Sequence, residues 1–371
     1  MKPRSIAKLS WTVISSLSVL ILGGLAARSY FTPTLPYTPP TYQLSGAVDV
    51  PAFQLPPSEY MSEEARGQLK LRMMMPAGGL KISDDIQEAR KTLDGYLSSW
   101  VKATKEKYAV DMAETQIEGI PVRVFTPRAQ PADPARVLIN VHGGAFSVCW
   151  DSCSVLESIP LSAIGNFKVV SVNYRMGPEA KHPAALEDLT TVYRALLKDH
   201  SPQNIGIYGC SAGGMLSAQA ASSFPDQQLP QPGAIGIFGA GAVPMFKGES
   251  AIVTAYTDGT FPPPSKEGDA TYMKSMTRGY FDGVDLTGPI ISPGLFPERL
   301  ARFPPTMIVT GTRAMDLSPA IVTNSALIKA GVQTQLIVGE AMGHCYLYNP
   351  AIPESRDAVE AAATFFKQHL R

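Results

Sequence analysis

Short apolar runs recur through the C-terminal two-thirds of the chain. Val137-Leu138-Ile139-Asn140-Val141, Val169-Val170-Ser171-Val172, Ile205-Gly206-Ile207-Tyr208, Ala234-Ile235-Gly236-Ile237-Phe238 and Thr306-Met307-Ile308-Val309-Thr310 each predict a buried strand, and residues 334–338 predict another. Helical stretches over residues 184–199, 319–330 and 354–369 separate or follow them. Strands alternating with helices predict an α/β fold, a mostly parallel central sheet covered on both faces by helices. Upstream, residues 63–75 and 84–108 predict two helices, with Leu93, Leu97, Trp100 and Val101 at helical spacing. They are expected to form an N-terminal helical cap over about 61–108. Residues 116–125 predict a hairpin around Glu118-Gly119. Residues 244–303 break the rhythm with Pro262-Pro263-Pro264 and many aromatics, which predicts a lid-like insertion beside a site.

Composition narrows the class. Formal net charge is zero and charged residues make up 17% of the chain, with no basic stripe or acidic tail, so nucleic-acid binding is excluded. Cys149, Cys153, Cys210 and Cys345 contain no C-x-x-C pair and no Cys/His ligand spacing, so no zinc site is expected. Cys149 and Cys153 are close enough for a local disulfide in an oxidising compartment. Gly239-Ala240-Gly241 follows a strand, but no third glycine and no helix follow it, so it is not a dinucleotide loop. No phosphate loop of the Walker type is present. Neither a cofactor nor a metal is expected. Met73-Met74-Met75 is adaptable packing in the first instance, and also a suitable lining for an apolar acyl pocket.

The N-terminus has its own pattern. Lys2, Arg4 and Lys8 precede an uncharged run from Trp11 to Ala27, and Gly24-Leu25-Ala26 offers a small-x-small cleavage site. Residues 1–27 therefore read as a signal peptide, with an uncleaved membrane anchor as the alternative. No Cys follows the run, which excludes a lipoprotein anchor. Residues 28–60 are a Pro-rich linker, and 61–371 form the main domain.

The candidate chemistry starts at Gly209-Cys210-Ser211-Ala212-Gly213-Gly214. An apolar strand, a sharp turn and a small-residue helix are the context of a nucleophile elbow, with Ser211 at its tip. Acyl transfer to a serine needs a base, an acid that orients the base, and N–H donors for an oxyanion. In sheets with this elbow the order is Ser, acid, His. Of five histidines only His344 and His369 follow Ser211, and His369 belongs to the last helix on an expected solvated face. His344, just past a strand end, is the expected base. Asp316 is the one carboxylate in residues 311–318 and the expected acid. The competing role for Asp316 is a helix cap, which Ser318 could supply instead. Glu340 is the next acid to consider. Gly143 and Gly144, after the strand ending at Val141, are expected oxyanion donors together with Ala212. His142 reads as a side chain that fixes their loop.

These motifs resemble the hormone-sensitive-lipase-like family of α/β-hydrolases, which includes bacterial esterases and acetyl-hydrolases. The matching segments are His142-Gly143-Gly144-Ala145-Phe146, Tyr174-Arg175-Met176-Gly177-Pro178-Glu179, Pro183-Ala184-Ala185-Leu186-Glu187-Asp188, Gly209-Cys210-Ser211-Ala212-Gly213-Gly214, Ser292-Pro293 and Gly343-His344. The resemblance spans about residues 85–370. It implies cofactor-free hydrolysis of a small-molecule carboxylic ester, short-to-medium acyl or acetyl, beneath an N-terminal cap. Three positions depart from the family: Ala145 replaces a third glycine, Cys210 replaces a frequent Asp, and Ala314 stands where many relatives carry the acid. A non-catalytic ligand-binding protein on the same fold is the alternative function.

Overall fold

The computed structural model describes residues 38–71, 82–264 and 270–371. The predicted leader and the Met73–Met75 run lie outside the described residues. Among the described residues no helix is long and apolar enough to cross a membrane. The chain divides into two compact units, residues 1–56 and 57–371. The described part of the first contains a small antiparallel pair, β1 (Thr41–Tyr42) and β2 (Val48–Asp49).

The second unit is built on an eight-stranded sheet. Its strands are β3 (Val110–Ile117), β4 (Ile120–Pro127), β5 (Val137–Val141), β6 (Lys168–Val172), β7 (Ile205–Cys210), β8 (Ala234–Phe238), β9 (Thr306–Gly311) and β10 (Thr334–Gly339), in the spatial order β10-β9-β8-β7-β5-β6-β4-β3. β10 through β6 run parallel, and β4 and β3 are antiparallel additions at one edge. The predicted hairpin is β3–β4, closed by Glu118 and Gly119, both at positive φ as a two-residue hairpin turn demands.

The helices are α1 (Glu63–Leu71), α2 (Ile86–Lys107), α3 (Trp150–Gly165), α4 (Ala184–Leu196), α5 (Ala212–Ser223), α6 (Glu249–Thr257), α7 (Ala270–Met276), α8 (Pro297–Leu300), α9 (Leu317–Lys329) and α10 (Pro353–His369). The strands are apolar on both sides, so each face must be covered. Val137, Ile139 and Val141 of β5 point into a core shared with α4, α5 and α9, and Leu138 points into one shared with α3 and α10. α3 has no counterpart in the sequence pattern. It is buried from Ser152 to Ser162 and carries Pro160, so it shows no polar face and no helical period. The predicted cap helix α2 packs Ala89 and Leu97 against Val148, Cys153 and Leu156. The insertion joins the main core through Phe246, Tyr280, Phe281, Ile291 and Leu300.

Strand order places the chemistry. β5 is bordered by β6 on one side and β7 on the other, so chain direction across the sheet reverses there. Crevices for ligands open at the carboxyl ends of strands at such a point. The loop from Val141 and the turn from Cys210 emerge side by side at that place.

Candidate active site

Ser211 occupies the tip of a turn with φ 59° and ψ −118°, a strained conformation for a residue with a side chain. The turn is sharp because neighbouring backbones close on it. A Cβ at Gly209 or at Gly213 would collide with the carbonyl oxygen of Val141. The Ser211 N–H donates to Phe238 O at 2.8 Å, which ties the tip to β8.

The structure brings the three expected side chains together. Ser211 Oγ is 3.0 Å from His344 Nε2, and His344 Nδ1 is 2.6 Å from Asp316 Oδ1. The other Asp316 oxygen accepts from Thr310 Oγ1 at 2.5 Å. Asp316 is fully buried. It stands at the N-cap position of α9 but makes no side-chain cap bond, because both of its oxygens are engaged elsewhere. The Ser318 hydroxyl accepts from the Ser250 N–H at 3.1 Å. Glu340 is exposed on the surface. His369 is half-buried against Phe365 rather than fully solvated.

The oxyanion loop requires one correction. Gly143 was an expected donor, but its N–H donates to Glu157 Oε1 at 2.8 Å. One N–H serves one strong acceptor, so Gly143 is withdrawn from the set. The N–H groups of Gly144, Ala145 and Ala212 donate to no acceptor among the described residues. Gly144 and Ala212 therefore have N–H groups left open to a ligand, and so does Ala145, which the sequence did not single out. Ala212 opens α5, where the first N–H groups have no intrahelical partner and the helix dipole favours negative charge.

His142 behaves as a structural side chain. It is buried, stacks on Tyr174 at 4.4 Å, and its Nδ1 lies 2.6 Å from Gly143 O. Burial pulls its pKa down to about 4, so the ring is neutral near pH 7 and donates to that carbonyl. The Tyr174 hydroxyl donates to His142 O at 2.6 Å, which fixes the other side of the same loop.

Glu157, on α3, is the functional side chain that sequence reasoning missed. Oε1 accepts from the Gly143 N–H and, at 2.6 Å, from the Tyr348 hydroxyl. Oε2 accepts from Asn140 Nδ2 at 2.8 Å and from the Cys210 N–H at 3.1 Å. One carboxylate thus fastens the oxyanion loop, the elbow strand and the segment after His344. Burial pushes its pKa up to about 7, against the four hydrogen bonds that favour the charged form.

Aromatic side chains from the insertion flank the site on two sides. Phe261 meets His344 edge-on at 5.7 Å, while Tyr280 and Phe281 each pack on Phe146 of the oxyanion loop at 5.0 Å. All four cysteines are bonded, Cys149 to Cys153 and Cys210 to Cys345. Among the described residues no cluster of His, Cys, Asp or Glu is suited to a metal ion.

Residues 138–348, more than half of the chain, match a family described by its α/β-hydrolase fold. An acetyl-hydrolase of Streptomyces hygroscopicus is 27% identical over 62% of this chain and 75% of its own length. A versiconal hemiacetal acetate esterase of Dothistroma septosporum is 25% identical over 76% of this chain and 89% of its own. The solved structure of an esterase, E25, superposes with a TM-score of 0.75 at 27% identity and covers 87% of this chain and 99% of that one. The structure of an esterase from the bacterial hormone-sensitive lipase family shares the fold at a TM-score of 0.70, 22% identity and 83% and 98% coverage. The chain belongs to the α/β-hydrolase family.

Proposed function

We propose that this α/β-hydrolase cleaves carboxylic esters of short-to-medium acyl groups, acetyl among them, through an acyl-enzyme at Ser211. The observation that carries the reading is the continuous chain of contacts from Ser211 Oγ through His344 to Asp316 at 3.0 and 2.6 Å. As Ser211 Oγ attacks the ester carbonyl carbon, His344 Nε2 takes its proton. Asp316 fixes the ring with Nδ1–H toward the carboxylate and stabilises the imidazolium. The carbonyl oxygen becomes an oxyanion, held by the free N–H groups of Gly144 and Ala212, with Ala145 alongside. Collapse of this intermediate expels the alcohol, which takes the proton from His344. Water, deprotonated by His344, then attacks the acyl carbon and frees the acid and Ser211.

The size of the acyl group is inferred from two sources. Phe261 meets the His344 ring edge-on and takes up space beside the nucleophile, and two relatives are named for acetyl or acetate esters. We also read the protein as exported, or tethered by residues 1–27. Two disulfides agree with an oxidising compartment.

The test is a panel of p-nitrophenyl esters of increasing chain length with the wild type and Ser211→Ala. The expected optimum lies at short-to-medium acyl chains. The variant should lose turnover by up to about 10⁶-fold and keep its fold. Retention of more than a tenth of wild-type turnover in Ser211→Ala would reject the serine mechanism.

A further inference from the structure

Cys210 is the residue before Ser211, Cys345 is the residue after His344, and the two are joined in a disulfide across 135 positions of sequence. The bridge therefore ties together the two backbone points from which the reacting hydroxyl and its base project. It also touches the base itself. Cys345 Sγ lies 3.7 Å from His344 Nε2, the nitrogen that faces Ser211. Both cysteines are buried. Their seat is shaped for them: a Cβ at Gly239, just past β8, would stand 2.8 Å from each sulfur and 3.3 Å from His344 Cε1. Cys345 itself has φ 50°, a left-handed conformation that a residue with a Cβ keeps only when its surroundings hold it. The other disulfide, Cys149–Cys153, spans only four positions at the start of α3 and joins no two parts of the site.

We propose that Cys210 and Cys345 are a positioning pair for the hydrolysis described above: their oxidation to the disulfide holds His344 Nε2 against Ser211 Oγ, and the dithiol form of the protein turns over slowly. The inference rests on Ser211 and His344 acting as nucleophile and base. Forming the bridge takes two electrons and two protons from the two thiols and delivers them to a disulfide oxidant, which leaves as two thiols. Without the bridge, Cys345 is free to leave the left-handed region and the imidazole swings with it. A misplacement near 1 Å at a reacting group is worth as much as about a hundredfold in rate. A chain made in a reducing compartment is then a poor esterase until it reaches an oxidising one.

The experiment uses Cys149→Ala/Cys153→Ala, in which Cys210–Cys345 is the one remaining disulfide. A water-soluble trialkylphosphine cleaves it, giving two thiols and, with the oxygen of one water, the phosphine oxide. Turnover, KM and the rate of organophosphonate labelling at Ser211 are measured with far-UV circular dichroism, well below the unfolding temperature. Before reduction, turnover should stay within about twofold of wild type. After reduction it should fall roughly tenfold to a hundredfold, with labelling slowed alongside, KM within about threefold and the spectrum unchanged. Reoxidation by a disulfide should restore it. Adding Cys210→Ala/Cys345→Ala should reproduce the loss and abolish the response to phosphine.

Turnover within twofold of the oxidised value once both thiols titrate would overturn the proposal. So would a loss of the native spectrum on reduction, which would make the bridge a brace for the fold. Ser211→Ala in the same background separates this idea from the serine reading. Residual turnover there that still responds to phosphine would sink both, whereas a Ser211-dependent rate that ignores phosphine would sink the positioning pair alone.

Discussion

Two buried carboxylates flank the site, and their partners set them apart. Asp316 faces His344, the ring that, in the mechanism proposed above, gains a positive charge as it takes the Ser211 proton. Glu157 faces only neutral donors: two backbone N–H groups, an amide and a hydroxyl. The first sits where a charge appears during reaction and can stabilise it. The second gains no new partner during the reaction; it holds the Gly143 loop and the Cys210 strand end at a fixed separation. Similar burial thus serves two ends, one catalytic and one architectural. Variants should divide accordingly, with Asp316 governing rate and Glu157 governing stability.

The largest effect tests the Asp316 side. Asp316→Asn keeps the size and the cap position but favours the wrong imidazole tautomer. Turnover should fall about 10⁴-fold, as in the equivalent change to another serine hydrolase. The thermal midpoint should move little. A loss below tenfold would take Asp316 out of the mechanism and leave it a buried anchor for Thr310 and the His344 ring.

The next effect tests the Glu157 side and should invert the pattern. Glu157→Leu removes the acceptor from four buried donors at once. Each orphan costs about 1–3 kcal/mol when nothing replaces its partner. Partial relaxation leaves an expected loss of about 4 kcal/mol or more, measured by chemical denaturation, whereas the turnover of the folded fraction should fall far less than in Asp316→Asn. Unchanged stability would mean that the four hydrogen bonds are not what joins the loop to the elbow, and the division between the two carboxylates would collapse.

The two residues also differ in how far the sequence reveals them. Ser211, Asp316 and His344 are legible because each follows an apolar strand, and because chain order and a local glycine pattern mark them. The strands are legible for the same reason, since runs such as Val137–Val141 have one structural use. Glu157 is not legible: its role exists only because β5 and β7 are neighbours and α3 crosses beneath both loops. α3 in turn hides from pattern reading because it is buried on nearly every side and contains Pro160. Gly143 was misread for a related reason. A glycine loop announces free N–H groups, but not which of them the folded chain has already engaged. The Cys210–Cys345 pairing depends on two segments 135 positions apart, which no local pattern records.

The smallest effect concerns proton linkage at Glu157. Its pKa rises from 4.5 to about 7 in the folded protein, with burial the largest cause. A carboxyl group whose folded pKa is raised binds its proton more tightly in the native state. Its stabilising contribution is therefore complete below the unfolded value near 4.5 and is lost as pH rises through about 7. The shift corresponds to at most about 3 kcal/mol across that window. Tyr348 is the partner through which protonation can be accommodated, since its hydroxyl can turn from donor to acceptor while the Gly143 and Cys210 N–H groups cannot. Glu157→Gln provides the reference because it does not titrate. The stability of the wild type minus that of Glu157→Gln, measured by denaturation, should shrink from pH 4.5 to 7.5 and level off above. A difference that is flat, or that grows with pH, would mean that Glu157 is held as an ordinary ionised carboxylate by its four donors, and burial would then not distinguish it from a surface acid.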